Sequence, residues 1–142
     1  MCIKSLFKSL LAATGLLIGL QVQAAVNIQH WQTSTGAEVY FVENHDLPII
    51  DISTNFAAGT AREEKAKAGL AGITRYLMTL GAAGLSDEDI SKRMADVGAQ
   101  MGGELDADRA GFKLRTLSSA REREQALDIY SKILQKPDFP AE

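Results

Sequence analysis

The sequence predicts an α+β fold, a mostly antiparallel sheet with helices packed on one face. Apolar residues recur at every second position in 50–56 and in 112–116, which is the spacing of strands with one buried face. Elsewhere apolar residues recur every three or four positions, which is the spacing of amphipathic helices. The composition, 46% hydrophobic and 23% charged, is that of a globular protein.

Residues 31–56 carry the pattern of strands. Residues 39–42 form a short β-branched and aromatic run between two turn signals, Gly36 and the segment 44–46 before Pro48. We expect a meander of two or three antiparallel strands here. The last of these strands alternates polar side chains with Ile50, Ile52, Thr54 and Phe56.

A first helix is expected over about 66–80, with Gly81 and Gly84 closing it. Arg75 lies off its apolar stripe, so we expect this side chain on the solvent side of the helix. The alternative is a contact between Arg75 and a substrate carboxylate. The predicted buried stripe consists of Leu70, Ile73, Leu77 and Leu80.

Two further helices begin at capping-box signals, in which two side chains each satisfy a free backbone N–H. Ser86 with Asp89 begins the first of them, and Ser119 with Glu122 begins the second, which runs to Gln135. Their apolar stripes are Ile90, Met94 and Val97 in the first and Ala126, Leu127, Tyr130, Ile133 and Leu134 in the second.

The segment between these two helices predicts a strand pair that includes 112–116. Gly102 and Gly103 are interpreted as a turn between helix and strand, with a flexible substrate-facing loop as the alternative. Asp106 and Asp108 would lie on one strand face. Two carboxylates without a further cluster of oxygens do not predict a calcium site.

Residues 1–24 have the composition of a cleavable signal peptide. Two lysines form a positive region, 10–20 is apolar, and small residues offer a cleavage site near Ala24-Ala25. A membrane anchor is the alternative, but the apolar run is shorter than the ~20 residues that span a bilayer. We therefore expect a periplasmic or secreted chain, 25–142, with no stable membrane insertion after signal removal.

Charge and cysteine content indicate which partners the chain can bind and whether disulfides can stabilise it. The formal net charge is −3, and basic and acidic residues are interspersed, so no basic patch predicts a nucleic-acid partner. Cys2 is the only cysteine and lies in the predicted leader. We therefore expect no disulfide in the exported chain.

Residues 59–64 (GTAREE) and 68–71 (AGLA), followed by a helix, resemble the amino-terminal module of the pitrilysin and insulinase family of zinc peptidases. This family includes the mitochondrial processing peptidases. The phrase 56–60 (FAAGT) belongs to the same resemblance, which covers 27–140. It implies that 25–142 is the amino-terminal part of a peptidase-like α+β module, truncated at its C-terminus, with a natural half-domain as the alternative.

Active members of that family carry an inverted zinc motif, His-x-x-Glu-His, directly after the position that matches Ala71. Residues four apart lie on one helical face, so the two imidazoles share a zinc ion while the glutamate polarises its bound water. The matching positions here are Gly72, Arg75 and Tyr76. Glycine offers no ligand, a phenol is a poor ligand at neutral pH, and a guanidinium accepts no proton. The resemblance therefore implies a degenerate site, with no catalytic, cofactor-binding or metal-binding residue.

The remaining histidines do not predict a compensating metal site. His30 and His45 fall at predicted loop or strand-edge positions, with no histidine or cysteine at ligand spacing, whereas zinc sites use three or four ligands. The family's third ligand, a glutamate roughly seventy to eighty residues past the motif, would fall beyond Glu142.

The resemblance implies an exported, catalytically inactive homologue that is the non-catalytic subunit of a heteromeric peptidase. Its partners would be a zinc-bearing catalytic homologue of the same family and a peptide bound along a sheet edge, with zinc only in the partner. One alternative is a zinc peptidase of the family that works with an altered site. Another is a structural exported module without a peptidase partner.

Overall fold

The computed structural model describes residues 26–140, which divide in sequence into two compact units between Asn44 and His45. The predicted signal peptide, 1–24, lies outside the described residues. The first unit contains strands β1 (Ile28–Gln32) and β2 (Glu38–Val42). In chain order, the second contains β3 (Ile49–Phe56), α1 (Leu70–Leu77), β4 (Gly81–Ala82), β5 (Leu85–Ser86), α2 (Asp87–Asp96), β6 (Gln100–Leu105), β7 (Ala110–Leu117) and α3 (Ala120–Gln135). No helix in this part of the chain is both long enough and apolar enough to cross a bilayer.

The first unit is an antiparallel hairpin of β1 and β2. It closes at Gly36, whose φ of +88° belongs to the left-handed region that glycine adopts without strain. The His30 ring stacks on Tyr40 with centroids 4.4 Å apart, and its Nε2 lies 2.6 Å from Glu38 Oε2. The predicted extension of this hairpin into the strand at 50–56 is wrong, because β3 pairs with β7 instead.

The sheet of the second unit has the order β3-β7-β6, and both of its strand pairs are antiparallel. In the central strand, β7, Phe112, Leu114 and Thr116 are buried, whereas Lys113 and Arg115 are exposed. The predicted alternation is therefore confirmed in β7. The predicted α+β class, an antiparallel sheet with helices on one face, is also confirmed.

α3 packs against β7, and α2 packs against α3 and β6, so that their buried apolar side chains form one core. Leu114, Ile129 and Ile133 are the largest apolar side chains that are fully buried, and burying each stabilises the fold by about 1.5–3 kcal/mol. Ile129 is a core residue that the predicted stripe missed, while Leu127 and Leu134 lie at the border of the stripe and are only partly buried. The correctly predicted core positions are Ile90, Met94, Val97, Ala126, Tyr130 and Ile133.

The two predicted capping boxes have different outcomes. At α2 the box is formed, because Ser86 Oγ accepts the Asp89 N–H at 3.1 Å and Asp89 Oδ2 accepts the Ser86 N–H at 3.3 Å. At α3 the box is absent, because the Ser119 hydroxyl donates to the Glu122 carboxylate, 2.5 Å away, and accepts no backbone N–H. The two side chains at α3 therefore bond each other rather than the helix end.

α1 is shorter than the helix predicted over 66–80, and two 3-10 turns, Thr60–Arg62 and Lys65–Lys67, precede it. The second turn and α1 are separated at Gly69, which has a left-handed φ of +93°. The carboxylate of Glu63 accepts the backbone N–H groups of Gly69 at 2.8 Å and of Ala71 at 2.7 Å. Glu63 therefore satisfies free donors at the start of α1, where a negative charge is also favourable.

Gly102 and Gly103 lie within β6, so the turn or loop predicted for them is wrong. The chain turns later, between β6 and β7, where Asp106 Oδ1 accepts the N–H groups of Arg109 at 2.7 Å and of Asp108 at 2.8 Å. These bonds, the one from Arg109 first, hold the pKa of Asp106 below its usual range. The two aspartates therefore belong to a tight turn and not to one strand face as predicted.

Tyr130 links α3 to the sheet, because its hydroxyl lies 2.9 Å from Thr54 Oγ1 and 3.0 Å from the carbonyl oxygen of Phe112. Tyr130→Phe should lower the free energy of unfolding by about 1 kcal/mol, the usual net contribution of one hydrogen bond. Chemical denaturation of the full chain measures this. Tyr76→Phe is the matched control, because the Tyr76 side chain is exposed and its hydroxyl should not matter. Equal losses in the two variants would contradict the assignment.

The capping role of Glu63 predicts a stability that depends on pH. Its pKa lies below the ordinary value of 4.5 because its carboxylate accepts the Gly69 N–H and then the Ala71 N–H. A lowered folded-state pKa stabilises the fold above that ordinary value, and the contribution is lost as pH falls through the lowered pKa. The wild type should therefore be more stable than Glu63→Gln at pH 7, with the difference shrinking below about pH 4.5.

Urea denaturation at a series of pH values measures this difference. Glu64→Gln is the control at pH 7, because Glu64 makes only an exposed ion pair of 3.8 Å with Lys67 and should contribute little. A difference between wild type and Glu63→Gln that stays constant from pH 7 to pH 3 would show that the carboxylate does not cap the helix.

Candidate functional site

α1 turns Gly72 and Arg75 toward β6, and residues three apart lie on the same side of a helix. A Cβ added at Gly72 would lie 3.4 Å from Leu105 Cδ2, so this position of the helix faces the side chain of Leu105 in the strand. One turn further along, the Arg75 side chain lies against Gly103 in the same strand. Two positions of the family's zinc motif therefore face β6.

The guanidinium of Arg75 fills the space that a side chain at Gly103 would occupy. A Cβ at Gly103 would lie 1.6 Å from Arg75 Nη1 and 2.4 Å from Cζ, which is far inside contact distance. A Cβ at the neighbouring Gly102 would meet nothing within 4 Å. A side chain at 103 would therefore displace the guanidinium, the flexible end of Arg75, whereas a side chain at 102 would displace nothing.

Arg75 is half-buried and has no counter-charge among residues 26–140. Its Nε is shielded from solvent and has no hydrogen-bond partner. The carboxylates that follow Gly103 in sequence are already engaged, since Glu104 lies 3.1 Å from Lys113 Nζ and Asp106 bonds the turn. A buried donor without an acceptor is unfavourable, so the Nε–H of Arg75 is an unusual feature of the fold.

The apolar stripe predicted for α1 is wrong. Leu70 and Ile73 are 51% and 57% exposed, and Leu77 and Leu80 are only half-buried. Arg75, expected on the solvent side, faces the sheet instead. Periodicity identifies which residues share a side of a helix, but the absence of a side chain at Gly103 in β6 leaves the space in which the Arg75 guanidinium lies.

The segment 59–61, just before α1, is bonded to the turn between β6 and β7. A Cβ at Gly59 would lie 2.4 Å from backbone atoms of that turn, so no larger residue fits there. This contact accounts for the glycine in the phrase 56–60 by which the sequence resembles the peptidase family. The N–H groups of Gly59, Thr60 and Ala61 donate to the carbonyls of Asp108, Asp106 and Ala107 at 3.2, 3.0 and 2.8 Å.

The residues at the family's zinc positions do not fit a metal ion. Gly72 has no ligand atom, Arg75 brings a permanent cation, and Tyr76 is 59% exposed. Across 26–140, no group of three or more His, Cys, Asp or Glu side chains could hold a metal. His30 is bonded to Glu38 in the first unit, and His45 lies between β2 and β3.

Sequence reasoning missed the role of Gly103 because two adjacent glycines ordinarily predict a turn. A usable signal was present, since a glycine inside a strand also marks a close approach of another part of the molecule. Gly103 pairs with Phe112 of β7, which places the missing side chain on the helix-covered face of the sheet.

β6 is an edge strand of the described sheet. It pairs with β7 on one side and with no other strand of residues 26–140 on the other. The backbone groups of an open edge can accept an extended segment as a further strand. The half-buried guanidinium of Arg75 therefore lies against a strand whose outer edge is open.

Two of the solved structures that are similar to this chain show its relationship. The crystal structure of a peptidase M16 inactive domain from Pseudomonas fluorescens has a TM-score of 0.78 and 37% identity, covering 82% of this chain. The crystal structure of a protease from Helicobacter pylori has a TM-score of 0.70 and covers 80% of this chain, but its 14% identity shows the fold alone. No protein-family profile matches the chain, and a comparison with curated proteins finds no match.

The chain spans only 28% and 27% of the lengths of these two proteins. Within that span, the identity to the inactive domain and the shared fold agree with the segments, 59–64 and 68–71, that carry the resemblance in sequence. The chain belongs to the pitrilysin-like M16 peptidase family and is a homologue of its inactive, non-catalytic domain.

Proposed function

We propose that this chain binds extended peptides as a non-catalytic part of a peptidase, and that a zinc-bearing homologue cuts them. The observation that carries the proposal is the guanidinium of Arg75, which stands at the family's glutamate position and faces β6. A guanidinium neither accepts a proton from water nor binds zinc. Gly72 and Tyr76 supply no imidazole, so metal and activated water would come from another chain.

The open edge of β6 supports the peptide-binding part of the proposal. A peptide that adds to this edge as a strand gains main-chain hydrogen bonds that do not depend on its sequence. Side chains of the added strand would then project alternately to the two faces of the sheet. Those on the helix-covered face would lie on the same side as Arg75.

The similarity to a domain described as inactive supports the non-catalytic part of the proposal. Pairing with a homologue that carries an intact His-x-x-Glu-His motif follows from the need for a metal and its bound water. Export rests on the signal-like composition of 1–24, so the partner and the peptide would meet the chain in the periplasm or outside the cell.

The purified full chain should hold much less than one zinc per molecule and should not cleave peptides. The reason is that its motif positions provide no ligand and no general base. Elemental analysis after dialysis against zinc, together with a fluorogenic peptide assay, measures both quantities. One tightly held zinc per chain with cleavage by the chain alone would instead support the altered-site enzyme.

The partner assay completes this test. A tagged full chain, captured from its own cells, should bring down a homologue with an intact zinc motif, and the mixture should cleave peptides that neither protein cleaves efficiently alone. A metal chelator should abolish this cleavage because the partner holds the zinc. A homologue whose activity is the same with and without the chain would contradict the partnership and leave a structural module.

Rebuilding the motif offers a separate prediction. The triple variant Gly72→His, Arg75→Glu, Tyr76→His should bind zinc at least about tenfold more tightly than the wild type, because imidazoles four residues apart can share one ion. Competition with a zinc-binding dye measures the affinity. Gly72→His alone, with one imidazole, is the control. An affinity of the triple variant equal to that of the wild type would show that α1 no longer offers the motif's geometry.

A further inference from the structure

We propose that Arg75, positioned by Gly103, binds one carboxylate of a peptide that lies along β6, so that the chain prefers acidic peptides. The inference rests on the proposed function for the peptide itself. It adds the chemical class of the side chain that the site selects and names the residue that selects it.

Arg75 has no partner for its guanidinium among the described side chains. Within the described residues its guanidinium has no ion pair, and its buried Nε has no acceptor. The carboxylates of the neighbouring segments are bonded elsewhere: Glu63 to the start of α1, Glu104 to Lys113 and Asp106 to the turn. A bound carboxylate would supply the missing acceptor, and its pairing energy would appear as affinity instead of fold stability.

The Arg75 guanidinium also lies where a bound peptide would run. Gly103 lets the guanidinium lie directly against β6, so the charge stands beside the strand that has an open edge. The same sheet contains a two-pronged arginine–carboxylate pair, which is the contact that Arg75 lacks. On the opposite face, Arg115 Nε donates to Asp51 Oδ1 at 2.7 Å and its Nη2 donates to Asp51 Oδ2 at 2.9 Å.

The shape and charge of the Arg75 guanidinium fit a carboxylate better than a phosphate. A guanidinium presents a planar fork of donors that matches the two oxygens of a carboxylate. Lys113 of β7 lies on the opposite face of the sheet and is paired with Glu104 at 3.1 Å, so it adds no second positive charge beside Arg75. One positive charge matches the single charge of an aspartate or glutamate side chain better than the nearly double charge of a phosphate.

The test compares matched peptides with the full chain. Two fluorescent peptides, identical except for a central glutamate or glutamine, are titrated by anisotropy. The wild type should prefer the glutamate peptide by about tenfold, as expected for one charge-assisted bidentate contact. Arg75→Met should remove the preference. Arg93→Met is the control, because Arg93 is an exposed arginine near the end of α2, and this variant should keep the preference.

Glycine substitutions separate positioning from simple charge. Gly103→Ala adds a methyl group where the guanidinium lies, so the preference should fall toward that of Arg75→Met although the arginine is still present. Gly102→Ala adds the same group where nothing lies within 4 Å, and the ratio of the two affinities should stay near the wild-type value. Equal ratios in the two alanine variants would overturn the role of Gly103.

A second measurement reads the carboxylate site without a peptide. In the nitrogen-15-labelled full chain, the Nε–H resonance of Arg75, assigned by its loss in Arg75→Met, is followed during titration. N-acetylglutamate α-amide should shift it with a dissociation constant on the order of 1 mM, typical of a weak single contact. N-acetylglutamine α-amide, which has the same shape without the charge, should not shift it.

The outcomes distinguish the two proposals. If neither peptide binds but N-acetylglutamate α-amide shifts the Arg75 resonance, peptide binding is wrong and the carboxylate site stands. If both peptides bind equally and the resonance does not move, the carboxylate site is wrong and peptide binding stands. A glutamate preference that survives Arg75→Met also overturns the site.

Discussion

Backbone pairing on both sides of β7 is the constraint on which the second unit depends. This strand brings β3 and β6 together although they are far apart in sequence, and it presents alternate side chains to α2 and α3. The register leaves little freedom, because a slip of one residue would turn the buried Leu114 and Thr116 outward. Gly111 restricts the register of β7 further, since a Cβ there would lie 2.5 Å from the carbonyl oxygen of Thr54.

Much of this unit could be predicted because its determinants are local. The core faces of α2 and α3 follow from apolar spacing, and the start of α2 follows from Ser86 and Asp89. The strand at 49–56 was identifiable by its alternation, but its partner was not. A strand adjacent in sequence and one sixty residues away make the same backbone bonds, so no local pattern chooses between them.

The candidate site, too, could be predicted from the sequence only in part. The loss of zinc chemistry follows from residue types alone, because Gly72, Arg75 and Tyr76 lack the required groups wherever the helix points. The environment of Arg75 cannot be predicted from the sequence of α1. It depends on β6 passing beneath the helix with a glycine at position 103, and a contact between elements nearly thirty residues apart leaves no trace in the periodicity of either.

The Arg75 and Gly103 contact has a consequence for how the sequence can drift. A methyl group at 103 would overlap the guanidinium, so an alanine there would move the flexible end of Arg75 away from its present place against β6. A smaller residue at 75 would release 103 to carry a side chain and would restore ordinary strand propensity to β6. Glycine should therefore persist at 103 in close homologues whose arginine at 75 keeps its guanidinium against β6.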